Sequence, residues 1–193
     1  MSEVTDDRAG RREDIRRSVD EMTRPMGLGL VMFAEDQYLL TDAVRAYIGG
    51  ADAGTVFCCH AACERDLAGL VLHSGTAPRG SDKWGLGSLI VYLRQHQMLP
   101  ADLLDRLAQL NEHRKTLYHY GHADSSAALQ RRTSEFLDRV GSEQIRADFE
   151  KQHGEAGSNK NVYRFAMDAV LKDSALNAIV VMFELRSQLA ADL

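Results

Sequence analysis

Proline is scarce in this chain: Pro25, Pro78 and Pro100 are its three positions in 193 residues. Few sites therefore forbid a helix interior. Strand patterning is scarce too, because apolar residues recur at steps of three and four rather than at every second position. Long hydrophobic runs are missing as well. The stretches "GLGLVMF" and "ALNAIVVMF" are too short to span a bilayer. The N-terminal "MSEVTDDRAGRRED" places acids ahead of its arginines with no apolar stretch behind them, which is unlike a signal peptide. These absences predict a soluble, cytoplasmic protein with no membrane partner.

No excess of basic charge is present either. Twenty-three Lys and Arg face 28 Asp and Glu, for a formal net charge of −5 and a pI of about 5.8. That balance excludes a protein that coats itself in nucleic acid, so any site for a polyanion must be a local patch. Cysteine is limited to Cys58, Cys59 and Cys63. Adjacent cysteines seldom bridge each other, and an odd one is left over, so reduced thiols are expected. Cys59, His60 and Cys63 lack a second Cys/His pair at ligand spacing, which favours small buried packing residues over a metal site. Internal repeats, low-complexity tracts and a glycine-rich phosphate loop are also missing.

What is present is enough to build a core: 45% hydrophobic residues, with 26% charged. The pattern predicts an all-α fold, a bundle of about four long helices with additional N-terminal helices. Residues 1–50 are read as a helical extension and 51–193 as the bundle. "REDIRRSVDEM" reads as an exposed helix whose mixed charges pair along a solvated face. "AEDQYLLTDAVRAYIGG" reads as a second helix stopped at Gly49-Gly50. Residues 51–73 form a helix that is apolar nearly all round and belongs in the middle of the bundle. A Gly-, Ser- and Pro-rich loop and a helix over 86–98 follow, with Leu89, Ile90, Tyr92 and Leu93 expected to be buried. Pro100 opens the next helix in the first-turn position that proline tolerates best. Helices over 125–140, 142–152 and 162–189 complete the chain. The last is expected to turn Phe165, Ala169, Leu176, Ile179, Val180 and Phe183 inward.

The chemistry gathers in the helix after Pro100. Its apolar stripe runs Leu103, Leu107, Leu110 and then Leu117, and a step of four from Leu110 lands on Arg114. A guanidinium on that row does not lose its charge, so it calls for an anion. Two readings stand: an internal carboxylate, with Glu64 or Asp66 as candidates, or a phosphate at an interface or cleft. His119 lies five residues on, about 140° around the helix, and an arginine and histidine offset in this way bracket one phosphate if the helix meets a copy of itself across a two-fold axis. Lys115, Tyr118 and Tyr120, with His113 and His122, add donors and stacking surfaces of the kind an RNA site uses.

"LPADLLDRLAQLNEHRKTLYHYG" resembles the signature helix of the HEPN superfamily, helical ribonuclease and nucleotide-binding domains marked by an arginine, four to six residues, and a histidine. The preceding order, an apolar helix with an acid ("HAACERDLAGLVLH"), a variable loop and a helix, is also similar, and the resemblance covers roughly residues 51–190. It implies a HEPN-like bundle and a metal-independent endoribonuclease without cofactors. Such an enzyme acts on RNA as a homodimer, as a toxin or antiviral-defence effector held by an antitoxin or other partner protein. The resemblance assigns catalysis to Arg114 and His119. Asn111 would orient Arg114 or bind ribose, and Glu64 would hold Arg114 from the neighbouring helix. Lys115 stands where the family usually has a small polar residue, and Gly121 where some members have a tyrosine. Three rivals remain: a non-catalytic HEPN-like module binding nucleotide or protein, a purely structural bundle with Arg114 paired to Glu64, and a metal-dependent enzyme using His60, His113, His119 and His122 with Glu64.

Overall fold

The computed structural model describes residues 2–23, 34–118, 123–154 and 158–191. It is all-α. Eight α-helices occur among the described residues: α1 (Ser2–Thr23), α2 (Ala34–Ile48), α3 (Asp52–His73), α4 (Leu86–Gln95), α5 (Ala101–Tyr118), α6 (Ala123–Val140), α7 (Ser142–His153) and α8 (Asn159–Ala191). One 3₁₀ turn, Ser81–Lys83, interrupts the loop before α4. The chain divides into two compact units, Met1–Arg114 with Ala175–Leu193, and Lys115–Ser174. Both α5 and α8 contribute residues to each unit.

In the first unit α3 packs against α2, α4 and the 3₁₀ turn, and α2 packs against α1. The apolar character of α3 explains its central place: Val56, Cys59, Ala62, Cys63, Leu67 and Val71 are all buried. α2 stops where expected, with Gly50 at φ 79°, a conformation glycine adopts without a Cβ clash. α4 buries Leu89, Ile90, Tyr92 and Leu93 but ends at Gln95, short of the expected residue 98. Gln97 takes φ 52°, and the backbone bonds Met98 N–H to Leu93 C=O (3.0 Å) and Gln97 N–H to Arg94 C=O (3.3 Å) close a Schellman turn. A glutamine in that position leaves no mark in the sequence pattern.

α1 departs from the solvated reading. Arg16 and Arg17 do pair with Glu13 on an exposed face. Arg11, however, is buried. Its guanidinium grips Asp52, the first residue of α3, through both carboxylate oxygens and also binds Asp7 at 3.0 Å and the Tyr47 carbonyl at 3.2 Å. It also lies 4.9 Å from the Tyr47 ring centroid. The Tyr47 hydroxyl donates to Asp14 at 3.2 Å. A bidentate arginine on a carboxylate is a directional clamp, and this one joins the N-terminal helix to α2 and α3.

α8 also turns differently from expectation. Ile179 is buried, but Ala169, Leu176, Val180 and Phe183 are half-buried. In the first unit the deepest positions are Ala175, Ala178, Ile179, Met182, Leu185 and Arg186. A helix with apolar residues on most sides does not specify its facing by periodicity alone. In the second unit α6 packs on α7, and Ile145, Val162 and Ala166 form a small buried cluster with Phe136, Leu137 and Phe165 packed against it.

Candidate functional site

Three polar side chains on α3 each tie that helix to a different neighbour. His60 Nε2 donates to Asn111 Oδ1 on α5 at 3.1 Å. One turn later Glu64 Oε2 accepts the backbone N–H of Leu86, the first residue of α4, at 2.7 Å. Asp66 Oδ2 accepts from Arg186 Nε on α8 at 2.8 Å, with the two side chains 9% and 3% exposed.

The Glu64 bond has a local cause. The residue before α4 is Gly85, which has no side chain to cap the helix, so a carboxylate from α3 takes an orphan N–H and sits at the positive end of the helix dipole. The role given by the structure to Glu64 is therefore a cap in trans. Gly87 shows how closely α4 approaches α5: a Cβ there would lie 3.2 Å from Asn111 Nδ2. Asn111 thus sits in a tight seam between three helices, with its carbonyl held by buried His60.

Along α5 the stripe is buried at Leu103, Leu107 and Leu110 and then rises toward the surface, with Arg114 and Leu117 half-buried. Arg114 closes the first unit before Lys115, which is exposed. The backbone of Tyr118 ends α5. His119 and Tyr120, together with His122, lie outside the described residues. On the neighbouring face a groove of about 200 Å³ opens beside the stripe, lined by Arg106, Gln109 and His113 of α5 and by Asn177 and Val181 of α8. Arg106 bonds Asp102 on its own helix and Glu184 on α8. Glu184 Oε2 is buried without a hydrogen-bond partner among the described residues.

Among the described residues the guanidinium set deepest on an apolar stripe lies on α8, outside the expected site residues. Arg186 stands four residues after Met182 on the apolar face of α8 and is 2% exposed. The signal was the same as at Arg114, a cation at the next step of an apolar row. Its partner is Asp66, one of the two carboxylates proposed for Arg114.

Cys59 and Cys63 are fully buried, and burial pushes both thiols well above the ordinary 9.0. They are neutral packing groups rather than thiolate nucleophiles. Among the described residues no cluster of three His, Cys, Asp or Glu is placed to hold a metal ion, and no helix is long and apolar enough to cross a membrane. Comparison with family models, curated proteins and solved structures finds no match to the chain.

Proposed function

We propose that the protein is a metal-independent endoribonuclease of the HEPN type, a cytoplasmic homodimer acting on RNA as a toxin or antiviral-defence effector, with an antitoxin or other protein as its regulator. The observation that carries this reading is the Arg114-x4-His119 spacing at the end of a leucine-striped helix. That helix follows an apolar, acid-bearing helix in an all-α chain. The half-buried setting of Arg114, just past Leu110, supports it. A long side chain at a half-buried position keeps its stem on apolar surface and carries its charge toward water. The groove on the same helix, which presents Gln109 and His113 beside Leu110 and Val181, supports RNA contact beyond one phosphate.

In this reaction the ribose 2′-oxygen attacks the adjacent phosphorus and the bond to the 5′-oxygen breaks, leaving a 2′,3′-cyclic phosphate and a 5′-hydroxyl. One His119 imidazole takes the 2′-hydroxyl proton, and the imidazolium of a second copy returns a proton to the leaving 5′-oxygen. Arg114 stabilises the charge that builds on the non-bridging oxygens. Asn111 and Glu64 act as positioning residues, holding α5 and α4 against α3.

Lys115, in place of a small polar residue, favours a second reading: a non-catalytic HEPN-like module that binds nucleotide or protein within a defence or toxin–antitoxin complex. Purified protein incubated with structured RNA in excess EDTA separates the two. The nuclease generates new cyclic-phosphate ends that Arg114→Ala and His119→Ala abolish. The module binds RNA or nucleotide and yields no new ends.

A further inference from the structure

The second unit carries a groove of about 250 Å³ on α6 and α8, lined by Arg132, Glu135, Phe136, Arg139, Val170 and Asp173. Its four charged residues comprise two arginines and two carboxylates. Arg132 is half-buried, and desolvation lowers its pKa against the weaker support of Asp173 and Glu135. Its hydrogen bond goes to a neutral group, Ser174 Oγ, whose own proton is donated to the Val170 carbonyl at 2.6 Å. A guanidinium offers five N–H donors, of which the Ser174 bond uses one. Glu135 and Arg139 have the four-residue spacing of a helix ion pair, yet the Arg139 guanidinium lies over the Phe136 ring, 5.6 Å from its centroid. Asp173 and Glu135 both act on Arg132 through space and favour its charge.

Desolvation outweighs the support that Arg132 draws from the two carboxylates, so a bound anion would further favour its charged form. The ligand's charge follows from the groove. Two arginines call for an anion, and a planar carboxylate matches the guanidinium fork. Two carboxylates in the same groove oppose a phosphate dianion or a nucleic-acid strand and call for a cation beside the anion. The volume falls below the roughly 300–1,000 Å³ of pockets for drug-sized ligands, and Phe136 and Val170 offer an apolar wall. We infer that this groove binds a free α-amino acid, its carboxylate on Arg132 and its ammonium between Glu135 and Asp173, with its side chain against Phe136 and Val170. The inference stands apart from the ribonuclease reading, since it invokes neither Arg114 nor His119.

The test is titration of the full-length protein with the standard L-amino acids one at a time, followed by calorimetry and by the NMR signal of the Arg132 Nε–H. Three reference probes accompany each amino acid that binds: its decarboxylated amine, its N-acetyl form and inorganic phosphate. The expected result is one-to-one saturation by at least one amino acid with a shift of the Arg132 signal, and binding weaker by about tenfold or more for every reference probe. Arg132→Met abolishes the binding and, without ligand, melts no lower than wild type, because the methionine fills the space without a charge to desolvate. Asp173→Asn, at an exposed position, weakens binding through the ammonium alone and serves if the methionine variant does not fold. Failure of all the amino acids to saturate, equal binding of phosphate or an N-acetyl form, or unchanged affinity in Asp173→Asn overturns the inference.

Discussion

Asp66→Asn is the substitution with the largest expected effect on folding. Asp66 and Arg186 are 9% and 3% exposed and joined by a 2.8 Å bond. Asparagine keeps the shape and removes the charge, leaving Arg186 buried beside a neutral amide. Breaking a buried pair from one side costs about 3–5 kcal/mol. At about 2–4 °C per kcal/mol for a chain of this length, the melting temperature falls by roughly 6–20 °C. The double variant Asp66→Leu with Arg186→Met removes both charges and returns to within about 1–2 kcal/mol of wild type. Denaturant unfolding of the wild type, both single variants and the double variant measures the coupling directly. Arg114→Ala serves as the contrast, with an expected loss below about 1 kcal/mol because Arg114 is only half-buried. An Asp66→Asn variant within about 1 kcal/mol of wild type would refute the reasoning, as would an Arg114→Ala variant that unfolds as readily as Arg186→Met.

Three further outcomes follow from the same structure. Arg11→Ala removes the clamp on Asp52 and costs about 2–3 kcal/mol, with faster hydrogen exchange in α1 as the marker that this helix has loosened. Glu64→Ala strips the cap from α4 and costs about 1 kcal/mol in denaturant unfolding, with the lost protection confined to the first turn of that helix. Stability falls as pH rises above about 9: the unfolded chain loses thiol protons near the ordinary 9.0, while buried Cys59 and Cys63 keep theirs. The native state then binds more protons, and the slope is negative. Tyr47, raised by burial and by Asp14, steepens the fall above about pH 10. A flat stability profile between pH 8 and 11 would count against the burial of all three groups.

Much of the helical frame was legible because its punctuation is local. Gly49-Gly50 stops α2, Pro100 opens α5 with its carbonyl accepting Leu104 N–H at 3.1 Å, and Gly141 parts α6 from α7 at φ 94°. The leucine stripe of α5 was legible for the same reason, since its period is a property of one helix. Relations between helices were not. His60 and Asn111 are 51 residues apart, and neither has a spacing that announces the other. The resemblance gives Glu64 to Arg114, while the bond it makes to Leu86 N–H depends on Gly85 having no side chain at the start of another helix. Arg11 sits among five neighbouring arginines in sequence, and only its facing toward Asp52 distinguishes it. The facing of α8 escaped because most of its sides are apolar, and with it went Arg186, whose burial is a fact about where α3 lies.

The most direct test of the proposed ribonuclease activity is growth on induced expression, wild type beside His119→Ala, with total RNA sequenced for 2′,3′-cyclic phosphate ends. The account predicts growth arrest and new cyclic ends with the wild type and neither with the variant. Arrest with equal cyclic ends from both proteins, or a wild type that leaves growth and RNA unchanged when expressed without any partner protein, would contradict it.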